Sequence, residues 1–265
     1  MKILSTLSPA EALIVLQDQQ VTMKDILKVT FMDLLLKQVL RTLEVEKQAH
    51  KNDQVRYFKY VEAGKNFNVY QALPHEQIFL WVFEKHRYGQ ILFRHIVKIA
   101  YQKSRFKIDF LKQLMNSPQI AGCFKQNIFQ QMFGGFKLTD DGMALRVQIR
   151  AEIDELEKTL PVYIANDRQK ALKMLKTIKG NIFLLHQIDF DVFEQIDKEL
   201  LAEMNQEHDK NTNGGDSGCT WHSFDAYSDT FDSSCSGSGC SGDGGSGCGG
   251  AGCSGCGGGC GGCGS

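Results

Sequence analysis

Four cysteines near the C-terminus have a spacing that could bind a metal ion. Cys253, Cys256, Cys260 and Cys263 form the pattern C-x2-C-x3-C-x2-C, with only glycine and one serine between them. Two C-x2-C pairs can supply four thiolates to zinc, and iron–sulfur clusters use similar short spacings. Here, however, the spacers offer no large side chain that could shield a metal or orient its ligands. We therefore expect mostly free thiols with adventitious zinc binding at these four cysteines, and no dedicated cofactor.

The tail that contains them, residues 209–265, differs in composition from the chain before it. Residues 211–265 hold 19 of the 26 glycines, eight of the nine cysteines, five aspartates and no Lys or Arg, which gives them a net charge of −5. Such a chain cannot bury enough apolar surface to offset the entropy of ordering it. We expect a disordered Gly/Cys-rich tail. Disulfides after oxidation, incidental cysteines in a low-complexity end, and modification of the tail by another enzyme stay open as alternatives.

One part of the tail has the composition of a binding motif. It contains four aromatic residues at helix-like spacing among aspartates, namely Trp221, Phe224, Tyr227 and Phe231. Aromatic anchors in an acidic segment are typical of peptides that bind a groove of a protein partner. We predict that these four residues bind a protein partner. The alternative is a short, sticky linker.

Residues 1–208 lack the short motifs of many enzymes. They contain no G-x-x-x-x-G-K-[ST], no G-x-G-x-x-G, no H-E-x-x-H and no G-x-S-x-G. His75 and Glu76 begin a metalloprotease-like pattern, but Phe79 stands where its second histidine would be. Cys123 is the single cysteine before the tail, and it is expected to be a small buried hydrophobic residue. We therefore expect no catalytic residues and no enzyme activity.

Basic residues accumulate on a predicted β-hairpin. The runs LRTLEVEKQ and VRYFKYVEA are rich in β-formers and flank turn-forming residues at 49–53. Lys47, Lys51, Arg56 and Lys59 would lie on this hairpin, exposed to solvent. Their charges could contact phosphate groups or a protein partner.

Helix-start signals precede the hairpin. Ser8, Pro9 and Glu11 are an N-cap, a first-turn proline and a capping-box acid, so a helix should run to about residue 19. Thr22 caps a second helix, whose apolar residues recur at a period of 3.6 up to about residue 40. Residues 28–30 allow a short break in it.

Helical patterns also dominate the chain after the hairpin. Leu73 opens one helix, and Phe136–Leu145 has the pattern of a strand leading into a helix that is capped by Thr139 or Asp140 and continues to about residue 160. Gly180 and Asn181 interrupt the last pattern. The other predicted helices cover about 90–103, 107–116, 161–179 and 189–205.

The order of two or three helices followed by a hairpin resembles the winged-helix family. The resemblance covers about residues 1–140 and includes the strand-to-helix motif at Phe136–Leu145. It implies a mainly α fold with short β-hairpins, built from a winged-helix-like unit at 1–70 and a second one at 71–160. C-terminal helices at 161–208 and the disordered tail at 209–265 would follow.

The whole layout also resembles a group of uncharacterised bacterial proteins that pair such helical domains with a Gly/Cys-rich tail. This second resemblance rests on the segment LSPAEALIVL and on the Gly/Cys-rich composition of the tail. It implies no known activity.

Charge weighs against strong nucleic-acid binding. Residues 1–210 hold all 30 Lys and Arg and 26 of the 31 Asp and Glu, a net charge of +4, whereas DNA-binding domains are usually strongly basic. Every apolar run is too short to span a membrane, and the first residues read as a helix start and not as a secretory signal. We expect a cytoplasmic, non-enzymatic interaction module with a protein partner. A DNA-binding regulator whose tail senses metal or redox state, and a substrate protein modified at its tail, are the alternatives.

Overall fold

The computed structural model describes residues 2–48, 56–104, 107–126 and 135–185. Within these ranges the chain is mostly helical, and its strands form two small antiparallel sheets. The helices are α1 (Pro9–Gln17), α2 (Met23–Leu36), α3 (Gln77–Lys85), α4 (Phe93–Lys103), α5 (Lys107–Met115), α6 (Asp140–Asn166) and α7 (Arg168–Ile178). The strands are β1 (Leu40–Lys47), β2 (Arg56–Ala63), β3 (Ile91–Leu92), β4 (Phe124–Lys125) and β5 (Lys137–Leu138), and 3-10 helices cover Asp18–Gln20 and Lys179–Leu184.

The first two helices begin where their caps predict. The Ser8 hydroxyl accepts a hydrogen bond from the Glu11 amide, and the Ser8 amide donates to the Glu11 carboxylate at 2.6 Å, which completes the capping box. The Thr22 hydroxyl accepts from the Asp25 amide at 3.1 Å. The break allowed at residues 28–30 is absent, since α2 continues through them from Met23 to Leu36. The Thr30 hydroxyl donates to the Ile26 carbonyl within the helix.

Helix α2 is the central element of the core. Ten of its fourteen residues are buried, so it is covered on nearly all sides and not along one stripe. Phe31 on this helix is fully buried, with its ring centroid 5.3 Å from that of Phe79 and 5.1 Å from that of Phe93. These ring contacts therefore pack α2 against both α3 and α4.

The larger sheet has the strand order β1-β2-β3. Strands β1 and β2 pair over eight residues, from Leu40 opposite Ala63 to Lys47 opposite Arg56, which confirms the predicted hairpin. Strand β3 was not predicted, since the sequence indicated helix from about residue 90. Ile91 and Leu92 instead pair with Val61 and Tyr60, and α4 begins only at Phe93.

A strand leads into α6 as the sequence predicts. Thr139 follows β5 and caps α6. Its hydroxyl accepts from the Gly142 amide at 3.1 Å and donates to the Gly122 carbonyl at 2.9 Å. A Cβ on Gly142 would lie 2.2 Å from the Cys123 carbonyl oxygen, so this close approach requires glycine. The first turn of α6 is thereby fixed against β4.

The boundary between the last two helices differs from the prediction. The sequence favoured a new helix at Pro161, but α6 continues through Pro161 to Asn166. The break lies at Asp167, whose carboxylate accepts from the Lys170 amide and caps α7. Pro161 is exposed, and the helix accommodates its ring although proline has no N–H to donate. The predicted helix at 189–205 lies outside the described residues.

Long-range hydrogen bonds attach the later helices to the start of the chain. The buried Asn181 amide donates to the carbonyls of Leu4 and Leu7 at 2.6 and 2.8 Å, and Arg146 on α6 donates to the Val15 and Leu16 carbonyls at the end of α1. One buried cluster contains residues from Leu4 to Leu185. The division into units at 1–70, 71–160 and 161–208 stays a prediction.

Candidate functional site

One face of the β1–β2 hairpin carries apolar side chains that are only partly buried. Leu43 pairs with Tyr60 and Val45 with Phe58, so all four side chains lie on the same face of the hairpin. Each is partly exposed, and among the described residues none of the four packs against the buried core. We call Leu43, Val45, Phe58 and Tyr60 the hairpin face.

A lysine borders this face near the hairpin tip. The Lys47 ammonium donates to the Tyr60 hydroxyl at 2.8 Å and lies 5.1 and 5.8 Å from the ring centroids of Tyr60 and Phe58. Such cation–π contacts are weak at exposed sites. They hold the positive charge at the edge of the apolar surface.

The opposite face of the hairpin carries both signs of charge. The Lys59 ammonium lies 3.9 Å from the Glu44 carboxylate. Tyr57, which is 63 % exposed, pairs across the strands with Glu46, whose negative charge raises the pKa of the tyrosine. This face thus carries two acids, Glu44 and Glu46, and one base, Lys59.

The structure separates two of the four predicted basic contact residues. Lys47 lies on the side of the hairpin face, whereas Lys59 lies on the opposite side. Arg56 begins β2, and its side chain lies outside the described part of the chain, as does the whole of Lys51. A joint role for the four residues stays a prediction.

The predicted sites in the tail lie outside the described residues. This applies to the aromatic residues Trp221, Phe224, Tyr227 and Phe231 and to the cysteines Cys253, Cys256, Cys260 and Cys263. Within residues 2–48, 56–104, 107–126 and 135–185, no group of three His, Cys, Asp or Glu could hold a metal ion. Cys123 is buried, and burial raises the pKa of its thiol, as expected of a small core residue.

A cluster of buried charges at the C-terminal end of α2 was not predicted from the sequence. The Lys37 ammonium lies 2.7 Å from the Asp33 carboxylate and 3.4 Å from that of Glu76. It also donates to the Tyr70 hydroxyl at 2.9 Å, and that hydroxyl contacts both oxygens of Glu76. Asp33 and Glu76 are each 1 % exposed. We call these residues the Lys37 cluster.

Electrostatics hold Lys37 in its charged form. Burial alone would lower the pKa of this lysine, but the carboxylates of Asp33 and Glu76 outweigh burial and raise its pKa above the usual value. Burial raises the pKa of Asp33, and Lys37 opposes that rise. An ammonium has three donors, and Asp33, Tyr70 and Glu76 accept all three.

A third buried carboxylate, that of Glu11, lies near the Lys37 cluster. Glu11 is 1 % exposed, and its carboxylate accepts from the Ser8 amide and from the Ser117 hydroxyl. The capping box of α1 therefore has a role in tertiary structure as well, because Ser117 follows α5.

Glu11 and the Lys37 cluster border a cleft of about 230 Å³. Its walls come from the segment before α1, the last turn of α2, the loop after α5 and the junction after α7. Asp33 lines the cleft, and its carboxylate oxygen Oδ1 is buried without a hydrogen-bond partner among the described residues. The α-carbon of Gly180 packs directly against this oxygen, since a Cβ there would lie 2.1 Å from it.

His75 is buried close to these charges. It is 1 % exposed, and its Nδ1 has no partner in the described part of the chain. Burial lowers its pKa to about 4; Lys37 adds to the lowering and Glu11 opposes it. The folded protein therefore holds a neutral imidazole at pH 7.

We expect this histidine to weaken the fold in acid. The unfolded chain protonates His75 below pH about 6.5, whereas the folded chain resists protonation down to pH about 4. The free energy of unfolding should therefore fall as the pH drops through this window, by about 3 kcal/mol from this residue. Urea unfolding of wild type and His75→Gln at pH 7 and pH 4.5 would measure it. The variant should lose less stability on acidification.

The exposed His95 on α4 provides the matched control. His95→Gln should keep the pH profile of the wild type. Parallel profiles for wild type and His75→Gln would contradict the prediction.

Comparisons with protein-family models, with curated proteins and with solved structures give no match for this chain. Among the described residues no helix is long and apolar enough to span a membrane.

Proposed function

We propose that this chain is a non-enzymatic interaction module that binds a protein partner through the hairpin face. The observation that carries the proposal is a row of four partly exposed apolar side chains that do not pack against the buried core among the described residues. Contiguous exposed apolar surface of this kind is typical of protein contact sites. In this proposal the hairpin is the wing of a winged-helix-like unit, in a cytoplasmic protein that also carries the Gly/Cys-rich tail at 209–265.

Charge supports a polypeptide over nucleic acid as the partner. A wing that contacts phosphates would present mainly Lys and Arg, but the side of this hairpin opposite the hairpin face carries two acids, Glu44 and Glu46, beside Lys59. The expected occupant is a segment of another protein with apolar side chains for the hairpin face and a carboxylate for Lys47. The aromatic motif at Trp221, Phe224, Tyr227 and Phe231 would provide a second contact with a protein partner.

Two neighbouring aromatic residues allow a matched test. Phe58 belongs to the hairpin face, and Tyr57 lies on the opposite face. We expect Phe58→Ser to weaken partner binding at least tenfold, in the range of an interface hot spot, and Tyr57→Ser to leave it nearly unchanged. The readout is photo-cross-linking in the native host with p-benzoylphenylalanine at Val45, followed by mass spectrometry of the adduct.

The two serine variants should both stay folded, with losses of about 1 kcal/mol or less, since both side chains are partly or largely exposed. Equal adduct yields in both variants would contradict the proposal, as would adducts only with residues of this same chain. Retention on a random DNA duplex that weakens with salt would instead favour the DNA-binding alternative.

A further inference from the structure

We propose that helix α4 binds the acidic aromatic motif of this chain's own tail, residues 221–232. The surface on α4 consists of Arg94, Lys98, Tyr101 and Lys103, which are all exposed, and we call it the α4 surface. It is distinct from the hairpin face, so this inference does not depend on the partner proposed for that face. The motif itself lies outside the described residues.

Helix α4 carries positive charge that no acid on the helix offsets. It contains three Lys or Arg residues and no Asp or Glu. Arg94 and Lys98 are four residues apart and therefore lie on the same side of the helix, and Tyr101 continues this row. Among the described residues, the side chains of Arg94 and Lys98 make no ion pair and no hydrogen bond. These two charges are therefore open to an acidic partner.

The positive charge extends from α4 to the end of α3. The Lys103 ammonium lies 3.3 Å from the ring centroid of Trp81, and the Lys85 ammonium lies 5.7 Å from it. A cation–π contact attracts an ammonium but does not cancel its charge. Residues 84–104 hold five Lys or Arg and one Glu, which gives this segment a net charge of +4. Such a concentration of one sign of charge attracts anionic groups.

Helix α7 is also basic, but most of its cations already have partners. It contains four Lys or Arg residues and no acid. Lys170 donates to the Tyr163 hydroxyl at 2.8 Å, and Arg168 and Lys176 interact with other groups of the chain. Lys173 is exposed and serves as the control position for the experiment below.

The motif complements the α4 surface in charge and in ring content. Residues 221–232 contain Asp225, Asp229 and Asp232, four aromatic residues and no Lys or Arg. The aspartates can pair with the open cations of α4. Tyr101 is 36 % exposed, so its ring can contact an aromatic ring of the motif. An acidic segment rich in aromatic residues is therefore the occupant that this surface fits.

The covalent connection favours the chain's own motif over a free acidic peptide. The helix predicted at 189–205 would span about 25 Å, and the 15 residues between it and Trp221 would extend roughly 20–23 Å on average. Helix α2, which is about 21 Å long, contacts both α4 and the 3-10 helix that ends at Leu184. The motif can therefore reach α4, at an effective concentration on the order of 1 mM.

Binding to α4 and binding to a protein partner exclude each other in this proposal, because both use the aromatic side chains of the motif. A partner of the motif must first displace it from the α4 surface. Added salt should favour the displaced form, since the contact with α4 is mainly ionic and lies at the protein surface.

The experiment is carbodiimide cross-linking of the full chain, followed by mass spectrometry of chymotryptic peptides, because the tail has no Lys or Arg for trypsin. Carbodiimide joins a lysine amine to a nearby carboxylate as an amide. Isotope-labelled and unlabelled chains are mixed in equal amounts before the reaction. We expect Lys98 and Lys103 to be linked to Asp225, Asp229 or Asp232, with both peptides carrying the same isotope. The yield should fall as NaCl is raised from about 0.05 M to about 0.5 M.

Two charge reversals make the experiment specific for α4. Arg94→Glu removes no reactive amine, and it should lower the yield of links at Lys98 by about fivefold or more, because it replaces attraction with repulsion. Lys173→Glu makes the same change in net charge on α7 and should leave the yield unchanged. Both positions are exposed, so both variants should fold.

Four results would overturn the inference. Absence of links between the α4 lysines and the motif would mean that water alone covers the α4 surface. Links mainly between chains of different isotope would assign the motif to a second copy. Equal losses in Arg94→Glu and Lys173→Glu would mean that net charge, and not α4, holds the motif. Retention on a DNA duplex that Arg94→Glu abolishes, together with missing links, would assign α4 to nucleic acid.

Discussion

Lys37→Met should lower the free energy of unfolding by about 3–5 kcal/mol. The substitution removes the ammonium that pairs with Asp33 and Glu76, and it leaves two carboxylates buried without a counter-charge. Breaking a buried ion pair in this way costs more than the pair itself contributes, because the remaining charges cannot be hydrated. Urea unfolding at pH 7, with wild type and variant side by side, measures the loss.

Two further variants separate charge from packing at Lys37. Lys98→Met on α4 replaces an exposed lysine and should change stability by about 0.5 kcal/mol or less. The triple variant Lys37→Met, Asp33→Asn, Glu76→Gln should recover part of the loss, since no unpaired charge remains. A single-variant loss below about 1 kcal/mol would mean that water reaches the carboxylates, and would contradict a desolvated Lys37 cluster.

Phe31→Ala should destabilise the protein by about 3–5 kcal/mol. Phe31 is fully buried, and its ring lies between those of Phe79 and Phe93. Truncation removes the apolar contacts of the ring and leaves a cavity that the surrounding helices can fill only in part. The measurement is the midpoint and slope of urea unfolding, followed by circular dichroism.

Tyr88, which is 92 % exposed, is the control for this substitution. Tyr88→Ala should cost about 0.5 kcal/mol or less. Phe31→Leu should give an intermediate loss, because most of the side-chain volume is kept. Equal stabilities of Phe31→Ala and Tyr88→Ala would mean that the rings do not form the centre of the core.

The sequence correctly predicted the helix starts and the hairpin, because interactions between residues close in sequence determine them. The caps Ser8, Thr22 and Thr139 act on amides three residues away, so the sequence locates these helix starts correctly. The hairpin follows from β-rich runs around turn residues in the same way. Strand β3 could not be predicted, since two residues form a strand only because β2 lies beside them.

The Lys37 cluster shows why the cleft was missed. Asp33 and Lys37 are four residues apart on a helix, which is the usual spacing of an exposed, solvated ion pair. Asp33 is nevertheless buried and Lys37 largely so, because ten of the fourteen residues of α2 are buried. Glu76 is distant in sequence from both, so its contact with Lys37 depends on tertiary structure alone. Helix α2 did contain a usable signal, namely that Asp33 lies among the apolar residues Phe31, Met32, Leu34, Leu35 and Leu36.

The hydrogen bonds from Asn181 to Leu4 and Leu7 set an order of events during synthesis. They join residues 177 and 174 positions apart, and a ribosome takes on the order of 10 to 35 seconds to add that many residues. Throughout this time the segment before α1 lacks its final partner. The N-terminal helices therefore stay partly exposed until Asn181 has been synthesised. We expect folding to be slow because this long-range contact forms last.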